Sequence, residues 1–176
     1  MIKDAKRISI VGGCGSGKTT LADNISKEMN IPVYHLDGMH YDANWVEKSK
    51  VERDKVILEK IQEDAWVIDG VYRSTLERRL NRSDLVIFLD YSTFALTKGI
   101  LGRYLKNHGK EKSEIPGCRE QLNWKFFCYV LKWRKNKRPC IASEISKIKQ
   151  SKVLIFKSRR KMNKWYMNEF NEKMTI

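Results

Sequence analysis

The sequence predicts an α/β fold of three layers, with helices on both faces of a parallel sheet. Three observations predict it. Residues 7–21 read RISIVGGCGSGKTTL, an apolar run, a glycine-rich turn and the start of a helix. Short apolar runs recur at 31–36, 65–68, 85–89 and 152–156, separated by stretches of helical spacing, the alternation expected of βαβ units. Acids close three of these runs, Asp37, Asp69 and Asp90, at the edge where open parallel sheets bind their ligands.

Ile8, Ile10 and Val11 form the first strand, and Leu21, Ala22, Ile25 and Met29 give the first helix its apolar face. Between them, Gly12, Gly17, Lys18 and Thr19 satisfy G-x-x-x-x-G-K-[ST], the P-loop pattern. The loop Gly12-Gly13-Cys14-Gly15-Ser16-Gly17-Lys18-Thr19-Thr20 is therefore the expected ATP cradle. Glycines let successive N–H groups turn inward around a phosphate. Lys18 supplies a cation to the β- and γ-phosphates, the Thr19 hydroxyl suits Mg²⁺, and the helix dipole points its positive end at the same anion. Cys14 is a spacer whose thiol lies within the loop.

The whole chain of 176 residues is long enough for one substantial core and too short for two ordinary domains. A single kinase-like domain over 1–176 is expected, with a mobile lid around 103–120. No apolar run approaches the ~20 residues a membrane helix needs, and the charged N-terminus leads straight into the first strand, so a cytoplasmic location is expected. Cysteines at 14, 118, 128 and 140 form no C-x-x-C pair, which favours free thiols over disulfides or zinc. The net charge of +14 is unevenly spread: residues 1–97 carry 14 basic and 15 acidic side chains, residues 98–138 carry 12 and 3, and residues 139–176 carry 9 and 3. A basic second half suits nucleic acid, and equally an enzyme that clamps two phosphorylated ligands.

In chain order, Ile31–Leu36 reads as the second strand, with His35 as a strand residue. Asp37 after it either orients and deprotonates an acceptor hydroxyl or caps the next turn. The stretch DGMHYDANWVEKS has little periodicity; His40, Tyr41 and Trp45 cover an acceptor or pack beneath a loop. Residues 49–64 predict an amphipathic helix with Val51, Val56, Leu58 and Ile61 inward; Arg53 on it contacts an acceptor phosphate or, the preferred reading, is solvated. Asp69, ending the third strand before Gly70, is the expected Mg²⁺ partner of Thr19. It is preferred to Asp90, which leads into Tyr91-Ser92-Thr93 and resembles a helix start. Arg73 can offer its planar fork to a phosphate.

Residues 93–108 should be helical, GKEKSEIPGC an exposed loop, and 120–138 helical again with Leu122, Phe126, Tyr129, Val130 and Trp133 inward. Arg103, Arg119, Arg134 and Arg138 then border a helix–loop–helix lid; Arg134 and Arg138, four apart, share a face and are assigned to phosphate, and Lys132, Lys135 and Lys137 to solvent. A short helix at 141–150, a fifth strand at 152–156 and a closing helix at 159–170 complete the chain. Lys157-Ser158-Arg159 borders the nucleotide base.

The P-loop, Tyr34-His35-Leu36-Asp37, the run from Trp66 to Arg73, Leu76, Arg79 and Leu80, and Pro116-Gly117-Cys118 ahead of Trp124 resemble the bacterial DNA topology modulation (FlaR-like) family, which is related to adenylate kinases. The resemblance covers about residues 7–165. It implies sheet order 2-3-1-4-5, a lid around 108–118, Arg73 on the acceptor phosphate, Asp69 serving Mg²⁺, and Arg103, Arg134 and Arg138 beside the lid. Adenylate kinases carry an arginine soon after the position of Asp37 and often a lid cysteine cluster. Here GMHYDAN follows Asp37 and the lid has only Cys118, so Asp37, His40 and Trp45 are expected to serve an acceptor other than AMP.

The expected function is transfer of the γ-phosphate of ATP, with Mg²⁺, to a small acceptor of the nucleoside or nucleotide class, by a monomer or homodimer. The alternative is a DNA- or RNA-binding regulator that uses its nucleotide as a switch. It predicts salt-sensitive nucleic-acid binding, although Trp124, Phe126, Phe127, Tyr129 and Trp133 are spaced as for a core as much as for base stacking. A simple nucleotide hydrolase is a third class, for which no residue stands out as positioning water.

Overall fold

The computed structural model describes residues 2–112, 115–149 and 151–170. Its centre is a five-stranded parallel sheet of β1 (Arg7–Gly12), β2 (Val33–His35), β5 (Trp66–Asp69), β6 (Leu85–Leu89) and β9 (Lys152–Phe156), ordered β2-β5-β1-β6-β9. Counted among the sheet strands, this is the expected order 2-3-1-4-5. β5 and β6 are buried along their whole length, which is why they read as unbroken apolar runs. Side chains on β5 alternate between two cores. Trp66 and Ile68 join Leu36, Ile57 and Ile61, while Val67 joins Ile8, Ile10, Leu21 and Ile25. Arg7 of β1 is tied to Asp84, just before β6, by an ion pair of 2.6 Å.

The helices are α1 (Lys18–Met29), α2 (Leu36–His40), α3 (Lys50–Lys60), α4 (Arg73–Arg82), α5 (Thr93–Asn107), α6 (Trp124–Asn136), α7 (Arg138–Ser146) and α8 (Arg159–Phe170). Ser49, Ser92 and Asn123 cap three of them through their side-chain oxygens, satisfying amide donors that the first turn leaves orphaned.

Several expectations are corrected. The second strand ends at His35, and Leu36 and Asp37 open α2. The stretch without periodicity forms a small hairpin, β3 (Tyr41–Asp42) and β4 (Val46–Glu47), around a 3₁₀ turn at Ala43–Trp45. On α3 the inward face is Arg53 and Ile57, continued by Ile61 just past its end, while Val51 is 80% exposed. Arg53 goes in because Asp54 and Ser74 accept its hydrogen bonds and its guanidinium lies over the Tyr72 ring at 4.5 Å, which offsets its desolvation. The stretch read as an exposed loop is a second hairpin, β7 (Glu111–Lys112) and β8 (Ile115–Arg119), with Ile115 and Cys118 buried. The helix expected over 120–138 breaks at Lys137; Pro139 sits in the first turn of α7, where its missing N–H costs nothing.

Candidate functional site

The P-loop runs from the end of β1 into α1. Gly17 caps α1 at φ 87°, a left-handed conformation that a side chain disfavours. Lys18 Nζ donates to the Gly13 carbonyl at 3.1 Å, and Ser16 N–H donates to the same oxygen at 3.2 Å. The Ser16 hydroxyl is buried without a hydrogen-bond partner, an unspent polar group in a cradle made for an anion. The roof over the loop is α5: a Cβ on Gly99 would stand 2.0 Å from the Gly15 carbonyl oxygen. Leu96 and Trp133 cover Gly13 from α5 and α6. Arg159 at the start of α8 donates to the Gly15 carbonyl at 3.1 Å, so the segment expected near the nucleotide base does border the loop. Cys14 is partly buried. Desolvation pushes its thiol up, with Lys18 pulling the other way, so the thiolate that thiol reagents need is suppressed. Thr20 sits in the first turn of α1, partly exposed, with its carbonyl held by Asn24 at 2.6 Å.

Thr19 and Asp69 meet, the hydroxyl donating to Oδ2 at 3.1 Å. A hydroxyl and a carboxylate at the mouth of a phosphate cradle are the hard oxygen donors that Mg²⁺ takes, so these residues fit the ion. Behind them lies a chain that the sequence reading passed over. The imidazole of His35 bridges Asp69 at 2.6 Å through Nδ1 and Asp23 at 3.0 Å through Nε2. Burial lowers the pKa of His35, but the two carboxylates more than offset it and lift it to about 10. Asp23, four residues after Thr19, falls on the same face of α1, but only the sheet register sets His35 beside Asp69.

Asp37, in the first turn of α2, accepts a hydrogen bond from the Tyr72 hydroxyl at 3.0 Å. Desolvation and then the charge of Asp37 raise the pKa of Tyr72. The same carboxylate contributes to the raised values of Cys14, Tyr41 and Tyr129, for which burial is the larger cause. The charge of Asp37 is thus felt at Cys14 in the P-loop and at phenols of three separate segments. His40 is buried against Tyr41 and Tyr72, with ring centroids 4.4 and 5.1 Å away, and desolvation lowers its pKa.

Arg134 and Arg138 do come together, although they belong to successive helices. Both hold Asp90, Arg134 at 3.1 Å and Arg138 at 2.8 Å, joined by Lys157. Asp90 follows Leu89, which pairs in register with Gly12, so this cluster stands beside the P-loop. The helix-start reading of Asp90 is corrected: Ser92 provides the cap, accepting from the Ala95 amide. The Asp90 carboxylate is fully buried. Its desolvation is outweighed by hydrogen bonds and charge from Arg138 and Lys157, which hold its pKa at about 2.

Arg103 stands apart from that cluster, paired with the buried Glu120 at 3.0 Å, and Lys112 approaches the other Glu120 oxygen at 3.6 Å. These pairs tie the second hairpin to α5. The hairpin also docks on the 3₁₀ turn: the Trp45 amide donates to Cys118 Sγ at 3.2 Å, and the thiol donates to the Asp42 carbonyl at 3.3 Å. Arg73, the first residue of α4, is exposed, with no hydrogen bond or ion pair among the described residues. Arg79 on the same helix is fully buried, donates to the Gly70 carbonyl at 2.7 Å and loses basicity to about 10 through desolvation.

Comparison with known proteins agrees with this fold. The adenylate kinase 2 of Synechocystis is 26% identical over a match covering 40% of this chain and 50% of that protein, so the chain spans about half the length of this curated relative. Shikimate kinase from Bacteroides thetaiotaomicron shares the fold with a TM-score of 0.57 at 15% identity, over 96% of this chain and 99% of the other. Shikimate kinase from Acinetobacter baumannii, solved in complex with shikimate, does so with a TM-score of 0.59 at 14% identity, over 99% and 98%. Residues 1–96, the P-loop half that carries Lys18, Thr19 and Asp69, match the NB-ARC domain, and the chain belongs to that family of P-loop NTPases.

Proposed function

We propose that this protein is an ATP- and Mg²⁺-dependent phosphotransferase whose small acceptor, of the nucleoside or nucleotide class, binds at Asp37. The observation that carries the reading is the closeness of two half-sites. One is the Lys18–Thr19–Asp69 group; the other is Asp37, two residues beyond the His35 that binds Asp69 and held by Tyr72, three residues after Asp69. A P-loop alone serves a hydrolase or a switch; a P-loop beside an exposed carboxylate suits a second substrate.

Loop amides and Lys18 hold the β- and γ-phosphates, and the free Ser16 hydroxyl is available to the same anion. Thr19 and Asp69 hold Mg²⁺, which when bound neutralises charge on the phosphates. His35 keeps the Asp69 carboxylate aimed at Thr19. Asp37 orients the acceptor hydroxyl and accepts its proton as the acceptor oxygen bonds to the γ-phosphorus and the bond to the β-phosphate oxygen breaks. Arg134 and Arg138, preset by Asp90, supply positive charge beside the transferring group. Arg73 is placed for an acceptor or γ-phosphate, and the 103–120 segment with Arg103 acts as the lid that excludes water.

The test is ATP consumption with Mg²⁺ against nucleosides, nucleoside monophosphates and small hydroxylated metabolites, with Lys18→Met as control. Acceptor-stimulated turnover that Lys18→Met lowers by at least about a thousandfold is expected. ATP binding with no acceptor stimulation overturns the assignment.

A further inference from the structure

Two neighbouring helices turn apolar side chains to the solvent. On α5, Phe94, Leu101 and Leu105 are 79%, 41% and 80% exposed, while Leu96 and Ile100 are buried. At roughly 100° per residue, Phe94, Lys98, Leu101 and Leu105 share an arc of about 60° on the side away from Leu96 and Ile100. α6 repeats the arrangement. Trp124 and Leu131, 75% and 43% exposed, share an arc with Cys128 and Lys135 on the side away from the buried Val130 and Trp133. Leu96 and Trp133 cover the same residue, Gly13, and α5 packs along α6. Both helices thus seat their inner faces on the P-loop, and both outer strips point away from it.

The charge around these strips has one sign. Neither α5 nor α6 contains an aspartate or glutamate, and Lys98, Lys106, Lys125, Lys132 and Lys135 are all exposed on them. A second copy of the chain is a poor occupant, because pairing the strips with themselves brings lysine rows together with no carboxylate between them. Nucleic acid suits the lysines, but it is bound by planar side chains under its bases, and the strips hold three leucines, Leu101, Leu105 and Leu131, while the exposed Tyr129 of α6 lies off its strip. An anionic bilayer satisfies both features. Leucine, phenylalanine and tryptophan tips enter the acyl boundary, while lysine stems lie along the apolar strip and carry their ammonium groups to the headgroup phosphates.

We propose that the outer face of α5 and α6 is a docking surface for an anionic lipid bilayer, on which the protein lies peripherally. No helix among the described residues is long and apolar enough to cross a membrane, so contact is confined to the interface. Docking leaves the P-loop face of both helices unchanged, and the inference stands apart from the identity of the acceptor.

The experiment is co-sedimentation of the full chain with vesicles of phosphatidylcholine alone and of phosphatidylcholine mixed with phosphatidylglycerol, at low and high salt. The expected result is at least about tenfold stronger binding to the mixed vesicles, weakened by salt. Leu101→Ser with Leu131→Ser, and separately Lys98→Gln with Lys132→Gln and Lys135→Gln, should each lower binding about tenfold. Thermal stabilisation by ATP and Mg²⁺ in each variant should match the wild type, which shows that the nucleotide fold is intact. Equal or absent binding to the two vesicle types overturns the proposal. So does a homodimer that the leucine variant dissociates, or binding of a single-stranded DNA oligonucleotide that the lysine variant abolishes and the leucine variant leaves untouched while vesicles fail to bind.

Discussion

His35 shows how one side chain can be fixed by its partners. Held by Asp23 and Asp69, it has a pKa of about 10 in the folded chain, against about 6.5 in an unfolded one. A raised pKa stabilises the fold fully below the unfolded value, and that contribution disappears as pH rises through the folded value. The chain should therefore lose on the order of 5 kcal/mol between about pH 6.5 and pH 10. Urea midpoints across that range check this, and His35→Gln should flatten the dependence. Asp90 has the opposite sign. Its pKa, held at about 2 by its cations, gives stability that is present above about pH 4 and lost as pH falls through 2. Asp90→Asn at neutral pH should cost about 2–3 kcal/mol and release Arg134 and Arg138 from their common position. A matched loss of turnover, with ATP affinity nearly unchanged, would distinguish their role in transfer from simple support of the fold.

At the scale of elements, the nucleotide cradle depends on how closely α5 approaches it. The 2.0 Å separation that a Cβ on Gly99 would have from the Gly15 carbonyl cannot be relieved by rotating a side chain, since both partners are backbone. Gly99→Ala should displace α5 and lower ATP affinity at least about tenfold, whatever alanine adds to helix propensity. Gly102, one turn along the same helix, has open space around its Cβ position. Gly102→Ala should instead stabilise the chain by about 0.5–1 kcal/mol and leave nucleotide binding alone. Titration with a fluorescent ATP analogue and thermal melts of both variants separate a packing effect from a propensity effect. The second hairpin follows the same logic with side chains. Cys118 is buried because its thiol satisfies both the Trp45 amide and the Asp42 carbonyl, joining the 103–120 segment to the first hairpin.

For the whole molecule, ligand binding and folding are linked, because the cradle, the Thr19–Asp69 pair and Asp90 come from β1, β5 and β6 and exist together only in the assembled sheet. ATP with Mg²⁺ at about a hundred times its Kd should add about 2.7 kcal/mol, a rise in Tm of roughly 5–10 °C for a chain of this size. The rise should shrink with EDTA and vanish in Lys18→Met, as read by scanning fluorimetry. The five-stranded sheet was legible in the sequence because β5 and β6 are buried on both faces and leave unbroken apolar runs. The P-loop was legible because its chemistry is local, with each glycine, Lys18 and Thr19 required within one turn of chain. The inward turn of Arg53 was not, since a lone arginine among Val51, Val56 and Leu58 reads as solvated until Asp54, Ser74 and the Tyr72 ring are seen around it. Nor was the bridge of His35 between two carboxylates, nor the use of Asp90 as an anchor for two arginines on different helices. By itself, the sequence determined the five strands of the central sheet and the P-loop pattern between the first strand and helix, because backbone pattern and loop chemistry act over short stretches. Only the tertiary structure decided which charges meet, because the partners of a buried charge come from distant parts of the chain and are chosen by the desolvation they must jointly offset.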